Sequence, residues 1–262
     1  MAGIVNLETA LWVISAFSEA GLLVLLLYRR NYKTFPAFFA YVLVNFAQSA
    51  ILFASYRVWG FNSSRAVTLA WGAQGLVIAA RTLAVGEICR RVLAGYRGIW
   101  ALAWRMLLAV VTLLLVYSAA SARLNWQLAV LYADRGLELA IAVAIVTLFL
   151  FVRYYEIEVE PAARSLAIGF LIYSCSSVLN NTILESWMHR YATLWNVLNT
   201  FAFMASLSLW MWALRETRTE TTSAPELLSG SVYGSLAPEI NLHLKTLNKH
   251  LSQWWYVEAK RP

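Results

Sequence analysis

Asp134, Arg135 and Glu138 are the residues best suited to chemistry in this chain, because they interrupt an apolar run, Trp126 to Val152, long enough to cross a bilayer. On a helix turning about 100° per residue, Asp134 and Glu138 fall almost in line and Arg135 lies beside them, so the three share one arc of about 100°. An ionised side chain at mid-membrane costs about 2.5 to 3.5 kcal/mol on insertion scales, so that arc is expected to face protein and to be paired. Arg81, on another apolar run, is the expected cationic partner of Asp134, Glu138 or Glu19. Such a pair serves either as structural glue or as a site for a small charged ligand or ion.

Polar spacing marks an inward stripe on most of the other runs. Glu8, Ser15 and Glu19 recur at seven and four, Asn45 lies four after Tyr41 with Gln48 and Ser49 three and four after Asn45, and Gln74 and Arg81 are seven apart. Ser174, Ser177, Asn181 and Glu185 form a further stripe, and Asn196, Asn199 and Thr200 another. At about 1.5 Å per residue, Glu19, Asn45, Gln48, Gln74, Arg81, Asp134, Glu138, Asn181 and Asn199 fall at roughly 9 to 22 Å from the outer surface. With Arg135 they are the expected ligand-binding residues, meeting in one polar intramembrane cavity. Amide and hydroxyl groups also join membrane helices at about 0.6 kcal/mol each, so the ionisable residues carry the functional reading more than the amides do. Glu87, Arg105 and Glu185 are nearer the surfaces and are expected to be solvated.

The elements that must hold these residues follow from composition. Of 262 residues 60% are hydrophobic and only 13% charged, which is outside the range of ordinary soluble domains. The fold class is therefore all-α: a polytopic membrane protein with seven spans, at 7–28, 35–56, 66–89, 99–120, 126–152, 163–187 and 192–214. With the amino terminus outside, Arg29, Arg30, Lys33, Arg90, Arg91, Arg97, Arg153 and Arg164 lie on inner connections against Arg57, Arg65, Arg123 and Arg190 on outer ones. That asymmetry, with Arg215 and Arg218 after the last span, predicts an N-out, C-in topology. Trp59, Trp100, Trp126, Trp187, Trp195 and Trp212 lie near span ends, as interfacial anchors do. The run 99–120 lacks a polar stripe and is expected to be peripheral. Shifting the first three spans by 125 residues sets Pro36 on Pro161, Ala37 on Ala162, Arg65 on Arg190, Thr68 on Thr193 and Arg90 on Arg215, a hint of a three-plus-one-plus-three repeat.

Residues 1–215 thus form the predicted seven-helix domain, 216–235 a polar linker that cannot bury a core, and 236–262 a tail. In the tail Ile240, Leu244, Leu247, Leu251 and Trp254 recur at helical spacing, predicting an amphipathic cytoplasmic helix that lies on the membrane surface or docks a protein partner.

Several functions lose support. The net charge of +7 is explained by residues flanking spans, so nucleic acid is not an expected partner. Lys33, Lys245, Lys249 and Lys260 all lie outside the spans, which removes a retinal Schiff base. His189, His243 and His250 lie at or beyond the membrane edge, and Cys89 and Cys175 have no ligand spacing and read as small buried residues, so no metal or other cofactor is expected. Glu8 and Glu19 around the first apolar run speak against a cleaved signal peptide. No phosphate-binding loop, nucleophile elbow or His-Glu-x-x-His run appears, so the chain is not expected to be an enzyme. The outline resembles seven-helix receptors and rhodopsins in topology only, since the third span ends Glu87-Ile88-Cys89-Arg90-Arg91 and the seventh has no Asn-Pro-x-x-Tyr. The expectation is a receptor-like or sensory protein of the cytoplasmic membrane, inner or plasma, that binds a small polar or charged ligand. The alternatives are a small-solute or proton-coupled transporter and an accessory subunit of a membrane complex.

Overall fold

The computed structural model describes residues 2–60, 63–94, 96–122, 125–186, 192–215, 242 and 245–250. Eight helices run through the main part: α1 Ala2–Tyr28, α2 Asn31–Thr34, α3 Pro36–Trp59, α4 Ser64–Val92, α5 Arg97–Ser121, α6 Trp126–Tyr154, α7 Pro161–Ser186 and α8 Ala192–Leu214. All but α2 are long and apolar enough to span a membrane, and the described residues contain no strand. The chain is an integral membrane protein of seven spans.

Local chemistry sets the helix ends. Pro36 and Pro161 open α3 and α7, where a missing N–H costs nothing and φ is already helical. The Asn125 side chain accepts from the Gln127 N–H at 3.1 Å and starts α6. Gly60 closes α3 at φ 77°, a backbone conformation few side chains tolerate. Two ends are held from a distance. Asn31 is buried and donates to the Leu214 carbonyl at 2.9 Å, satisfying the end of α8. The Glu87 carboxylate accepts from the Phe38 N–H at 3.0 Å and caps the start of α3 from α4. Glu87 was expected to be solvated; it is half-buried because the orphan N–H groups of α3 attract an anion.

Chain order sets two helix triplets, α1, α3 and α4 before α5 and α6, α7 and α8 after it, and packing joins them in one ring. α1 packs on α3 and α3 on α4, while α6 packs on α7 and α7 on α8; α4 meets α6 and α1 meets α8, closing a ring. Some buried positions recur at the 125-residue shift, while others on α4, such as Val77, Ile78, Ala84 and Ile88, fall on α8 positions that are not buried. Phe38, Tyr41, Val42 and Ser55 on α3 and, 125 positions on, Ala163, Leu166, Ala167 and Asn180 on α7 are all buried. Arg81, Val85 and Cys89 on α4 correspond in the same way to Ser206, Trp210 and Leu214 on α8, again all buried. The helix α5 stands outside the ring against α6, and its most apolar stretch buries no residue, as its missing polar stripe predicts.

Lipid is as apolar as leucine, so close packing and hydrogen bonds must hold such a bundle. Trp210 is fully buried, with its ring centroid 4.9 Å from Phe170 and 5.2 Å from Phe38. Its indole Nε1 donates to the Leu166 carbonyl at 3.1 Å, and Ser206 Oγ donates to the Gly169 carbonyl at 2.8 Å. This approach needs Gly169, because a Cβ there would run into the Trp210 indole.

Candidate functional site

Arg81 projects from α4 into the seam between the triplets. It is 3% exposed and forms an ion pair with Glu138, itself 1% exposed, and a longer one with Asp134 at 3.9 Å. Both acids stand on α6, one helical turn apart, so a single guanidinium reaches both. Tyr173 of α7 lies under the guanidinium with its ring centre 4.7 Å away, and the Tyr41 ring of α3 lies at 5.7 Å. Arg81 Nη2 also donates to the Tyr173 hydroxyl at 3.5 Å. Arginine suits this position, since its planar group pairs with carboxylates at its edge and stacks on rings with its face.

Two amide contacts extend the cluster. Gln48 Nε2 donates to Gln74 Oε1 at 3.0 Å, joining α3 to α4. Asn45 Nδ2 donates to Glu19 Oε1 at 3.0 Å, joining α3 to α1. Glu19 is 3% exposed, and its second oxygen has no hydrogen-bond partner among the described residues. The same is true of Ser174 Oγ, Asn180 Oδ1 and Asn199 Oδ1, all buried atoms. Unsatisfied buried acceptors and hydroxyls are uncommon and costly, at about 1 to 3 kcal/mol each.

Of the sequence-predicted ligand residues, Arg81, Asp134 and Glu138 come together, Gln74 joins them at Asp134 and holds Gln48, and Glu19 and Asn45 form a further pair. Arg135 is half-buried beside Asp134, and Asn199 is half-buried on α8. The side chain of Asn181 lies outside those described; its neighbour Asn180 is buried in line with Ser174 and Ser177, so the inward stripe of α7 runs at three and three. The two cavities described lie elsewhere, one of about 190 Å³ lined by Asn31, Phe35, Pro161 and Leu214, the other apolar and between α4, α5 and α6. Cys175, expected to be buried, is exposed, while Cys89 is buried. In the tail, Leu247 lies in the helical stretch 245–250 and is exposed, and Ile240, Leu244, Leu251 and Trp254 lie outside the described residues.

Tyr173 and Asn180 are the residues that the polar stripes missed. They stand seven apart, the same two-turn spacing as Gln74 and Arg81, which was the available signal. Among the described residues no group of three metal-binding side chains comes together. No family model, curated protein or solved structure matches the chain, so what it does rests on this geometry.

Proposed function

We propose that the chain is a non-enzymatic, receptor-like protein of the cytoplasmic membrane, N-out and C-in, that recognises a small polar or charged ligand at the Arg81 cluster. The observation that carries this reading is the seam itself: the cation comes from one triplet and both its carboxylates from the other. A ligand carboxylate or ammonium competing for Arg81 or for Glu138 and Asp134 would change what binds the two triplets together. That gives the ligand unequal affinity for two arrangements of the bundle, which is what a sensory response requires. The cytoplasmic tail then passes the change to the membrane surface or to a protein partner.

Transport of a small solute is the second reading, favoured by one observation, the repeat of three helices on either side of α5. Parallel repeats with a site at their interface recur in carriers. A subunit role rested on buried charges pairing with another chain, and Arg81 meets its acids within its own.

The test is a density map of natively purified protein, paired with thermal-shift screening of small acids, amines and sugars. The proposal expects a compound that raises the melting temperature of the native chain and leaves the Arg81→Gln/Glu138→Gln variant unmoved. Uptake of that compound into proteoliposomes would favour transport, and a stabilising compound equally effective on both proteins would overturn the site.

A further inference from the structure

Glu19 is a buried acid outside the ion pairs of Arg81. It stands at the middle of the span Ala10–Tyr28, so about 14 Å of helix separates it from either end. It is 3% exposed, and its one hydrogen bond comes from an uncharged group, the Asn45 amide, which donates to Oε1 at 3.0 Å. The other oxygen, Oε2, is buried and has no partner among the described residues. An ionised carboxylate there keeps its whole charge at mid-membrane, where charges are rare and normally paired.

The helices packed on α1 bring no cation to it. Ala192–Leu214 of α8 contains no titratable residue, and α2 carries Tyr32 and an exposed Lys33 beyond the end of the span. On α3 stand Tyr41, Tyr56 and Arg57, the last exposed near the opposite end with its guanidinium over the Phe53 ring. On α1 itself Tyr28 is exposed at the end of the span, and Glu8 lies about three turns before Glu19. Tyr41 is within electrostatic reach of Glu19, and Arg81, 5.7 Å from the Tyr41 ring, is committed to Glu138 and Asp134. The two directions along the helix differ. Toward Tyr28 the buried residues are Leu22, Leu23 and Leu26, all apolar, whereas Ser15 is buried one turn to the other side and α3 continues that way from Asn45 to a half-buried Gln48.

We propose that Glu19 is an exchange site for one small monovalent cation, a proton or a sodium ion, held at Oε2 and reached along Ser15, Asn45 and Gln48. Either ion supplies what the neighbouring helices do not, a positive charge on the unpartnered oxygen. The step is binding alone: a proton forms an O–H bond at Oε2, or sodium is coordinated there, and the same ion leaves by the reverse path. Carriers place their coupling ions near mid-membrane on the same principle. Release leaves a bare carboxylate between α1 and α3 and loosens their contact, and Tyr41, within reach of both Glu19 and Arg81, feels the change. The site stands independently of what the Arg81 cluster binds.

Melting of the full chain in detergent tests this, measured across pH and across sodium chloride balanced by N-methylglucamine chloride at constant ionic strength. The native chain should melt several degrees higher as pH falls or as sodium rises, because the cation binds the folded form. Glu19→Gln, which carries no charge, should flatten that dependence. Infrared difference spectra identify the ion: a protonated-carboxyl stretch that titrates with pH in the absence of sodium marks the proton, and carboxylate bands that move on adding sodium mark sodium. Either signal should vanish in Glu19→Gln. Should that variant not fold, Asn45→Leu removes the one hydrogen bond to Glu19 and should shift the same bands. A native chain indifferent to both ions, a Glu19→Gln protein that keeps the native dependence while Asp134→Asn loses it, or bands unmoved in Asn45→Leu would each overturn the site.

Discussion

A charged side chain in an apolar run marks itself, and for that reason the residues around Arg81 were readable in the sequence. Spacing alone put Asp134 and Glu138 on one arc, and the structure joins both to Arg81; the Glu19–Asn45 contact was not read from it. Tyr173 was not readable in the same way, since a tyrosine in a span is equally at home at the membrane interface. Asn180 is buried on the face that carries Ser174 and Ser177, a position the expected stripe did not include. Gly169 is the residue whose role is sharpest. Its missing side chain admits the Trp210 indole, so Gly169→Ala should lower stability by about 1 to 3 kcal/mol through overpacking. Melting of the detergent-solubilised variant measures this, and an unchanged midpoint would mean that α7 and α8 do not approach as described. Replacing Trp210 as well, with Gly169→Ala/Trp210→Leu, should relieve the clash and make the two losses less than additive.

The helices themselves were legible, because seven long apolar runs admit little else in a bilayer. Their ends agree with the expected spans to within a few residues, apart from α1, which begins five residues earlier, at Ala2. The short α2 was not foreseen, for Asn31-Tyr32-Lys33-Thr34 is polar and carries no periodic face. Nor was the use of Glu87 to cap α3, since the donor belongs to a backbone 49 residues away. Removing that anion with Glu87→Ala should cost about 0.5 to 2 kcal/mol, the range for a helix cap, with Glu87→Gln losing less because an amide oxygen still accepts. Equal stability of all three proteins in the same melting assay would assign Glu87 to solvent. The tail carries its own test. A peptide spanning residues 235–261 should become helical on anionic vesicles, and Leu247→Glu should abolish the change seen by circular dichroism. Helicity that ignores vesicles would leave protein docking as the use of that face.

At the level of the molecule, the positive residues predict orientation and the repeat predicts the seam. Reporter fusions after Lys33, Gly98 and Arg218 should all read cytoplasmic, and one external reading would reverse or break the seven-span order. The two triplets were only faintly visible in sequence, because the matching residues at 125-residue separation share burial and not identity: Tyr41 corresponds to Leu166, Arg81 to Ser206 and Val85 to Trp210. Bilayer thickness equalises span lengths in any case, so length alone says little about duplication. What joins the triplets at the candidate site is Arg81 with Glu138 and Asp134, and a double-mutant cycle on that pair tests the account most directly. Loss of one member of a buried pair costs about 3 to 5 kcal/mol, while loss of both can be nearly neutral. The account predicts that Arg81→Gln lowers the melting temperature of the solubilised bundle strongly and that adding Glu138→Gln restores much of the loss. An Arg81→Gln protein that melts like the native chain, or one that Glu138→Gln only weakens further, would contradict it.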